Sequence, residues 1–591
     1  MATVNVAEIP KIDVDPVTLD IIEGALKSTR FEMDATLFRT AMSPVIREQH
    51  DEFPMITDPH GRMVVGQFGS YIAEMLEGFD EPILEGDVIF NSDPYKCGGT
   101  ISHINDWLVC LPIFWEGELN KDVLNVILNN VRMPEMNRAD LMGIVAGCRT
   151  AEKRIHELCE RFGRDTYLAA CQALLERTYK AMAKLILAAI PEEPQSFEDW
   201  IDDDGLGHGP YKMKLTIWRE GEHAYFDWSG TDPQAMGPVN FYLSEAMFKM
   251  FIGVYLIMVF DPQILFNDGF YPLLHIVIPD GCLLHPKYPS ALGCRTHALT
   301  RLFDILGGAL ARKSPEHTTA AGYGTSPYML YSGWDGNGEF YYLMEISYGG
   351  IPGRPIGDGM DGHSWWPLFQ NIPTEYLEAY YPVRIDGYTT IQDSGGAGMH
   401  RGGNGIEKRY VYLEPGEVSI HDDRWLTYPW GILGGMPGTR SEKILVRKDG
   451  TSERLPSKCD EVKVEPGDML VYRTAGGGGW KDPFDRPAEK VEADVAKGLV
   501  SAEKARSDYG VVVGDAAATE KLREQLRAER GDVIDFDTGP PLEQILARAK
   551  EETGLEPPVP PEPLAWAPME SAEDALRRVR EHGDRQMTQT E

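Results

Sequence analysis

Apolar positions Val17, Ile21, Ile22, Ala25 and Leu26 follow Asp15-Pro16 at helical spacing, so the chain opens on an amphipathic helix with a carboxylate N-cap and a first-turn proline. The stripe predicts a helix to about Thr40. Across 52–65, two apolar runs flank Asp58-Pro59-His60-Gly61, the pattern of a hairpin with a tight turn. A strand over 87–90 ends in the loop opening Asn91-Ser92-Asp93-Pro94. Residues 150–190 read as a long helical stretch broken at Gly163. Beyond Pro191 the period changes: 213–218, 223–228 and 273–278 read as strands, interrupted by a helix-like apolar run over 246–259.

Residues 348–480 are dense in glycine, from Gly349-Gly350 to the run Gly476 to Gly479, with Tyr410, Tyr412, Trp425 and Trp430 between as core residues. Glycine weakens strand interiors, so this density predicts tight turns or extended segments whose backbones approach one another or a ligand. Short amphipathic helices follow at 488–497, 501–509 and 516–529. A stiff proline-rich stretch, 556–563, then leads to a charged tail able to wrap a neighbouring subunit. The fold class is α+β and multidomain: 1–200 an N-terminal α/β domain, 201–350 a strand-rich α+β domain, 351–486 a glycine-rich domain, 487–555 C-terminal helices and 556–591 linker and tail.

With 42% hydrophobic and 25% charged residues the 591-residue chain is globular in composition, and no stretch has the roughly 18 uncharged apolar residues of a membrane span. The first fifteen residues lack the order of a secretory signal, which points to the cytoplasm. The eight cysteines contain no CxxC pair and read as reduced thiols. A formal charge of -35 disfavours nucleic acid and anionic lipid as partners. Any anion site therefore needs locally placed cations or backbone N–H groups.

Several ordered segments resemble the hydantoinase B/oxoprolinase family: Asp15-Pro16-Val17-Thr18, Arg39-Thr40-Ala41-Met42-Ser43, Asp58-Pro59-His60-Gly61-Arg62, Asp93-Pro94-Tyr95 with Gly98-Gly99-Thr100, Ser229-Gly230-Thr231, Asp393-Ser394-Gly395-Gly396 and Gly476 to Gly479 before Trp480. The resemblance spans roughly residues 15 to 512 and is closest to the large subunits of acetone and acetophenone carboxylases. It implies a barrel-like pair of sheets leading into polyproline-II-like segments, and a hetero-oligomer in which a separate hydantoinase A-type chain, actin-like in its kinase fold, binds ATP-Mg. This chain has no GxxxxGK[ST] phosphate loop, in keeping with an ATP site elsewhere.

The sharpest local feature is His103 with Asp106 in Ser102-His103-Ile104-Asn105-Asp106, an imidazole and a carboxylate placed either to share Mn²⁺ or Zn²⁺, to act as an acid–base pair, or to make a structural hydrogen bond. The resemblance implies a metal completed by a His-His-x-Asp segment, but here that stretch reads Asn129-Asn130-Val131-Arg132, and the third ligand is missing. Arg132 then either offsets charge at the site or forms a surface ion pair. Arg39 and Arg47, eight positions apart, are placed on one helical face either to clamp a phosphate or carboxylate or to hold Glu48 or Asp51. Asp93, Asn129 and Asn130 complete the candidate substrate-binding set. Asp58, His60, Glu375, Asp393 and His400 read mainly as turn-stabilising residues. Cys294 beside His297 lacks the third group a nucleophile needs and reads as a buried thiol. Trp365, Trp366, Phe369, Tyr376, Tyr380 and Tyr381 fill a core or line an aromatic pocket.

The resemblance leaves three functions: a subunit of an ATP-dependent ketone carboxylase joining an enolate to CO₂ from bicarbonate, a subunit of an ATP-dependent hydrolase of hydantoin, 5-oxoproline or a lactam, or a non-catalytic scaffold for kinase chains. The altered Phe68-Gly69-Ser70-Tyr71 and Asn129-Asn130 segments tilt the expectation to the carboxylase.

Overall fold

A computed structural model describes residues 9–67, 89–95, 108–110, 133–365, 369–531 and 533–589, with single positions at 72, 99, 101, 124, 128, 129 and 131. His103, Asp106, Asn130 and Arg132 lie outside the described residues, as does Trp366.

The opening helix forms as read: α1 (Pro16–Thr40) begins where Asp15 Oδ1 accepts from the N–H groups of Val17 (3.1 Å) and Thr18 (3.0 Å). It packs Leu19, Ile22, Leu26 and Met33 against Ala151, Ile155, Leu158, Leu168 and Leu174 of α2 (Pro134–Phe162) and α3 (Arg164–Ala189), which meet at Gly163. α2 starts well before position 150. Gly143 and Gly147 interrupt its apolar stripe in the sequence, and in the fold they let α1 close: a Cβ at Gly143 would lie 2.8 Å from Thr40 Oγ1.

The three strands read after Pro191 join one that was not read, Gln195–Ile201, in a sheet in chain order, β1 (Gln195–Ile201), β2 (Tyr211–Glu220), β3 (His223–Asp227) and β4 (Leu274–Val277), antiparallel except where β4 joins β3 in parallel. α4 (Glu245–Phe260) supplies the crossover, and α5 (Thr296–Ala311) packs on the sheet buried on every side.

Instead of the barrel-like core expected, the described residues form two open antiparallel sheets face to face. One contains β5 (Tyr328–Trp334), β6 (Phe340–Ile346), β9 (Gly416–His421) and β12 (Lys458–Val464) in the order β6-β5-β9-β12; the other contains β7 (Val383–Thr390), β8 (Ile406–Tyr412), β10 (Glu442–Val446), β11 (Ser452–Arg454) and β13 (Met469–Arg473) in the order β7-β8-β13-β10-β11. Met329, Tyr331, Val418 and Ile420 of the first face meet Tyr410, Tyr412, Leu445 and Leu470 of the second.

The glycine-dense segments lie outside these sheets and are joined to one another by backbone hydrogen bonds: Gly403 N to Ile351 O (2.8 Å), Gly477 N to Gly403 O (2.9 Å), Gly396 N to Gly477 O (2.8 Å) and Gly353 N to Gly478 O (2.8 Å). These contacts carry no polyproline-II assignment for the segments; they show extended strands of main chain packed on main chain with no room for side chains.

The tail folds back on its own chain. Val559 exchanges backbone hydrogen bonds with Gly207 and Gly209 (each 2.8 Å), and a helix over Ala572–Gln589 sets Ala575 and Val579 on Val277. Its charge density hid an apolar stripe only two or three residues wide.

Candidate functional site

Strand Ile89–Asn91 pairs antiparallel with Leu108–Cys110, which brings together the two ends of the segment carrying His103 and Asp106. Asp93 builds the departing turn: its N–H donates to Asn91 Oδ1 (2.9 Å), and its own Oδ1 accepts from Tyr95 N (3.0 Å). The Tyr95 hydroxyl donates to Ser290 O (2.9 Å), and its ring stacks on Tyr242 at 4.8 Å. Gly99 accepts from Ser244 N (3.1 Å) with φ +82°, and a Cβ there would lie 2.6 Å from that nitrogen, so close approach and backbone conformation both demand glycine.

Arg39 and Arg47 do not share a helical face. α1 ends at Thr40, and Asp140 Oδ1 holds the break by accepting from Met42 N (2.7 Å) and Ser43 N (3.0 Å) before a new turn starts at Pro44. Arg39 is exposed and donates to Ala35 O (2.8 Å); Arg47 pairs with Glu48 (2.9 Å) and lies over the Tyr376 ring at 5.3 Å. Asn129 is exposed in a turn. His103 and Asp106, the ligands the resemblance implies, lie outside the described residues, and among the described residues no group of three or more His, Cys, Asp or Glu is placed to hold a metal ion.

The structure also assembles a polar centre that sequence reading passed over. Arg30 and Asp34 pair on α1 (2.5 Å), and Arg30 also donates to Gln67 Oε1 (3.2 Å). The Asp34 carboxyl neighbours that of Glu52, which follows His50, itself at φ +60°. Two neighbouring buried carboxyls disfavour each other's charge. Burial, reinforced by the Asp34 charge, pushes Glu52 up to about 9, and burial raises Asp34 as well. Among the described residues both Glu52 oxygens, Asp34 Oδ1 and both ends of the fully buried Gln49 amide have no hydrogen-bond partner. A buried carboxyl whose pKa is raised this far beside a second carboxyl has the chemistry of a general acid. The only sequence signal was the i, i+4 pair Arg30/Asp34; Glu52 comes from a turn.

This proton gives a pH test. The folded state holds it between pH 4.5 and about 9 while the unfolded state releases it, so stability falls as pH rises through that window. Glu52→Gln, an isostere of the protonated acid, is expected to flatten that slope and to be the more stable form at pH 8 by on the order of 2 kcal/mol. Equilibrium unfolding of both proteins from pH 5 to 9 measures it; identical slopes would overturn the raised Glu52 pKa.

A second polar assembly joins the first sheet to the sandwich. Arg424 pairs with Asp199 (2.9 Å) and Asp304 (3.1 Å), while Asp423 pairs with Arg301 (2.5 Å) and Lys458 (2.8 Å), all of them buried. Asp202 accepts from Leu426 N (2.7 Å) and Thr427 Oγ1 (2.5 Å), and burial followed by the Asp423 charge lifts it to about 7. Its tight pairing makes this assembly a clamp between layers. Cys294 is buried, and His297 alongside bonds Thr325 Oγ1 (2.9 Å). Asp58 closes its hairpin by accepting from His60 N and Arg62 N, and Asp393 accepts from Ser501 N. The aromatic residues scatter: Phe369 stacks on Phe53 (5.9 Å), Trp365 on Phe303 (6.4 Å), and Tyr376 lies against Tyr380 (4.4 Å).

Residues 15–120 and 115–483 match the model of the family described as hydantoinase B/oxoprolinase. The chain belongs to that family. Among hydantoinase B/oxoprolinase relatives it is 27% identical over 583 residues to the B-type component of the putative D-/L-hydantoinase of Pseudomonas sp. (strain NS671), covering 85% of this chain and 96% of the relative. It is 28% identical over 588 residues to the beta subunit of the caprolactamase of Pseudomonas jessenii (86% and 99%), and 23% identical over 564 residues to the acetophenone carboxylase delta subunit of Aromatoleum aromaticum (78% and 81%). Its fold is that of a solved chain of acetone carboxylase, with TM-score 0.76 over 91% of this chain and 86% of that one at 18% identity. Among the described residues no helix is long and apolar enough to cross a membrane.

Proposed function

We propose that this hydantoinase B-type chain is a subunit of an ATP-dependent enzyme that opens a cyclic amide or imide, with ATP-Mg bound by a hydantoinase A-type partner chain. The observation that carries this reading is likeness along nearly the full length of a hydantoinase B-type component and a caprolactamase beta subunit. In it, the partner phosphorylates the ring carbonyl, and this chain holds the activated group out of bulk water. In this reading His103 and Asp106 handle protons and Arg132 meets the anionic charge. Ketone carboxylation with bicarbonate is the second reading, supported by the likeness to the acetophenone carboxylase delta subunit.

The test is ATP hydrolysis by the chain purified with its native partners, supplied separately with hydantoin, 5-oxoproline, caprolactam, or acetophenone plus bicarbonate. Turnover driven by a cyclic amide or imide, with a ring-opened product, is expected. Turnover requiring ketone and bicarbonate, with labelled bicarbonate entering an acid, would overturn the amide reading. His103→Ala is expected to abolish turnover while leaving the complex assembled; undiminished turnover would make the chain a scaffold.

A further inference from the structure

A cavity of about 420 Å³ lies where the helix Leu542–Thr553 crosses the strands around β10 and β11, away from the N-terminal segment. Its size suits a small molecule. Its polar wall is cationic in a chain of formal charge -35: Arg440, Lys443 and Arg454 all line it. The facing carboxylates are already shared. Glu552 pairs with Arg440 (2.9 Å) and Arg548 (2.7 Å), and Glu442 pairs with Arg454 and with Arg473 (2.6 Å). Lys443, buried, is matched by Asp422 beneath it. On the wall itself three cations, Arg440, Lys443 and Arg454, stand against two carboxylates, Glu442 and Glu552. The wall keeps a surplus of positive charge.

Two donors on this wall have no partner. Ser457 is 1% exposed and its Oγ makes no hydrogen bond, and Arg440 uses Nη2 on Glu552 while its buried Nη1 bonds to nothing. An unpaired buried donor costs roughly 1–3 kcal/mol, more when charged, so two on one cavity wall mark a place built to be filled. Leu455 supplies apolar wall beside them, and so does the part of Tyr428 that the Arg440 guanidinium, 4.7 Å from its ring centroid, leaves uncovered. The floor is rigid: Ser441 donates to Asp423 O (2.6 Å), tying the cavity to the buried clamp.

We propose that this cavity is a binding site for a small anion, its oxygen head held by Arg440 Nη1 and Ser457 Oγ and any flat or apolar body laid against Tyr428 and Leu455. The site goes beyond the proposed reaction and does not depend on it. The probes are inorganic phosphate, for a bare head, and benzoate, for a carboxylate on a flat body, each titrated calorimetrically into the full chain with its partners. Saturable binding of at least one is expected, weakened about tenfold or more by Arg440→Met and several-fold by Ser457→Ala. Ser457→Ala leaves the Arg440–Glu552 pair in place and so guards against misfolding of the arginine variant. Tighter benzoate than phosphate identifies an organic acid as the ligand class, and the reverse identifies a phosphate. Absence of saturable binding for both probes, or binding that neither substitution weakens, would overturn the site.

Discussion

Gly403→Ala is expected to cost more than about 4 kcal/mol and to leave little soluble folded protein. Gly403 donates its N–H to Ile351 O and accepts from Gly477 N, so its backbone is committed on both sides. A Cβ there would sit 1.9 Å from Met360 O and 3.0 Å from Ile351 N. Both obstacles are backbone, and moving either pulls apart the hydrogen bonds that join the glycine segments. Small overpacking of a side-chain core costs roughly 1–3 kcal/mol because rotamers adjust, and here no rotamer exists to adjust. Gly357, with nothing within 4 Å of its Cβ position, is the control, and Gly357→Ala is expected within about 0.5 kcal/mol of wild type. Soluble yield and the thermal unfolding midpoint read both; equal behaviour of the two variants would dismiss main-chain packing as the reason for the glycines.

The second large effect is expected at Arg301. Arg301→Met keeps much of the side-chain volume but strips Asp423 and Asp199 of a guanidinium in a fully buried setting, with a loss of about 3–5 kcal/mol. The loss comes from the carboxylates left behind, which separates this clamp from an exposed pair such as Lys463–Glu417, where removing either partner is expected to change stability by less than about 1 kcal/mol. Denaturant unfolding of Arg301→Met against Lys463→Met measures the contrast. Comparable small losses would show that the clamp's charges are not buried in solution as they are in this structure.

The N-terminal helix, the Asp58 hairpin, the break at Gly163 and three strands of the first sheet were legible because each is set by local chemistry: a cap, a turn sequence, or a period of 3.6 or 2 that neighbouring residues alone enforce. The early start of α2 was hidden by Gly143 and Gly147, which serve helix contact rather than helix propensity. The break between Arg39 and Arg47 depends on Asp140, nearly a hundred residues away. Glu52 has an ordinary sequence context; its proton is held by burial and by Asp34 from another element. The cavity below helix Leu542–Thr553 needs residues from four separate stretches of chain to exist at all.

By itself, then, the sequence determined the family, the N-terminal helix, three strands of the first sheet, and the glycine density that forbids side chains along 348–480, since these rest on short-range spacing and on motifs kept in order. Only the tertiary structure decided that the strands close as two facing sheets rather than a barrel, that the tail docks on Val277, and which acids keep their protons. Those outcomes depend on which distant surfaces exclude water from one another, and burial is a property of the assembled chain.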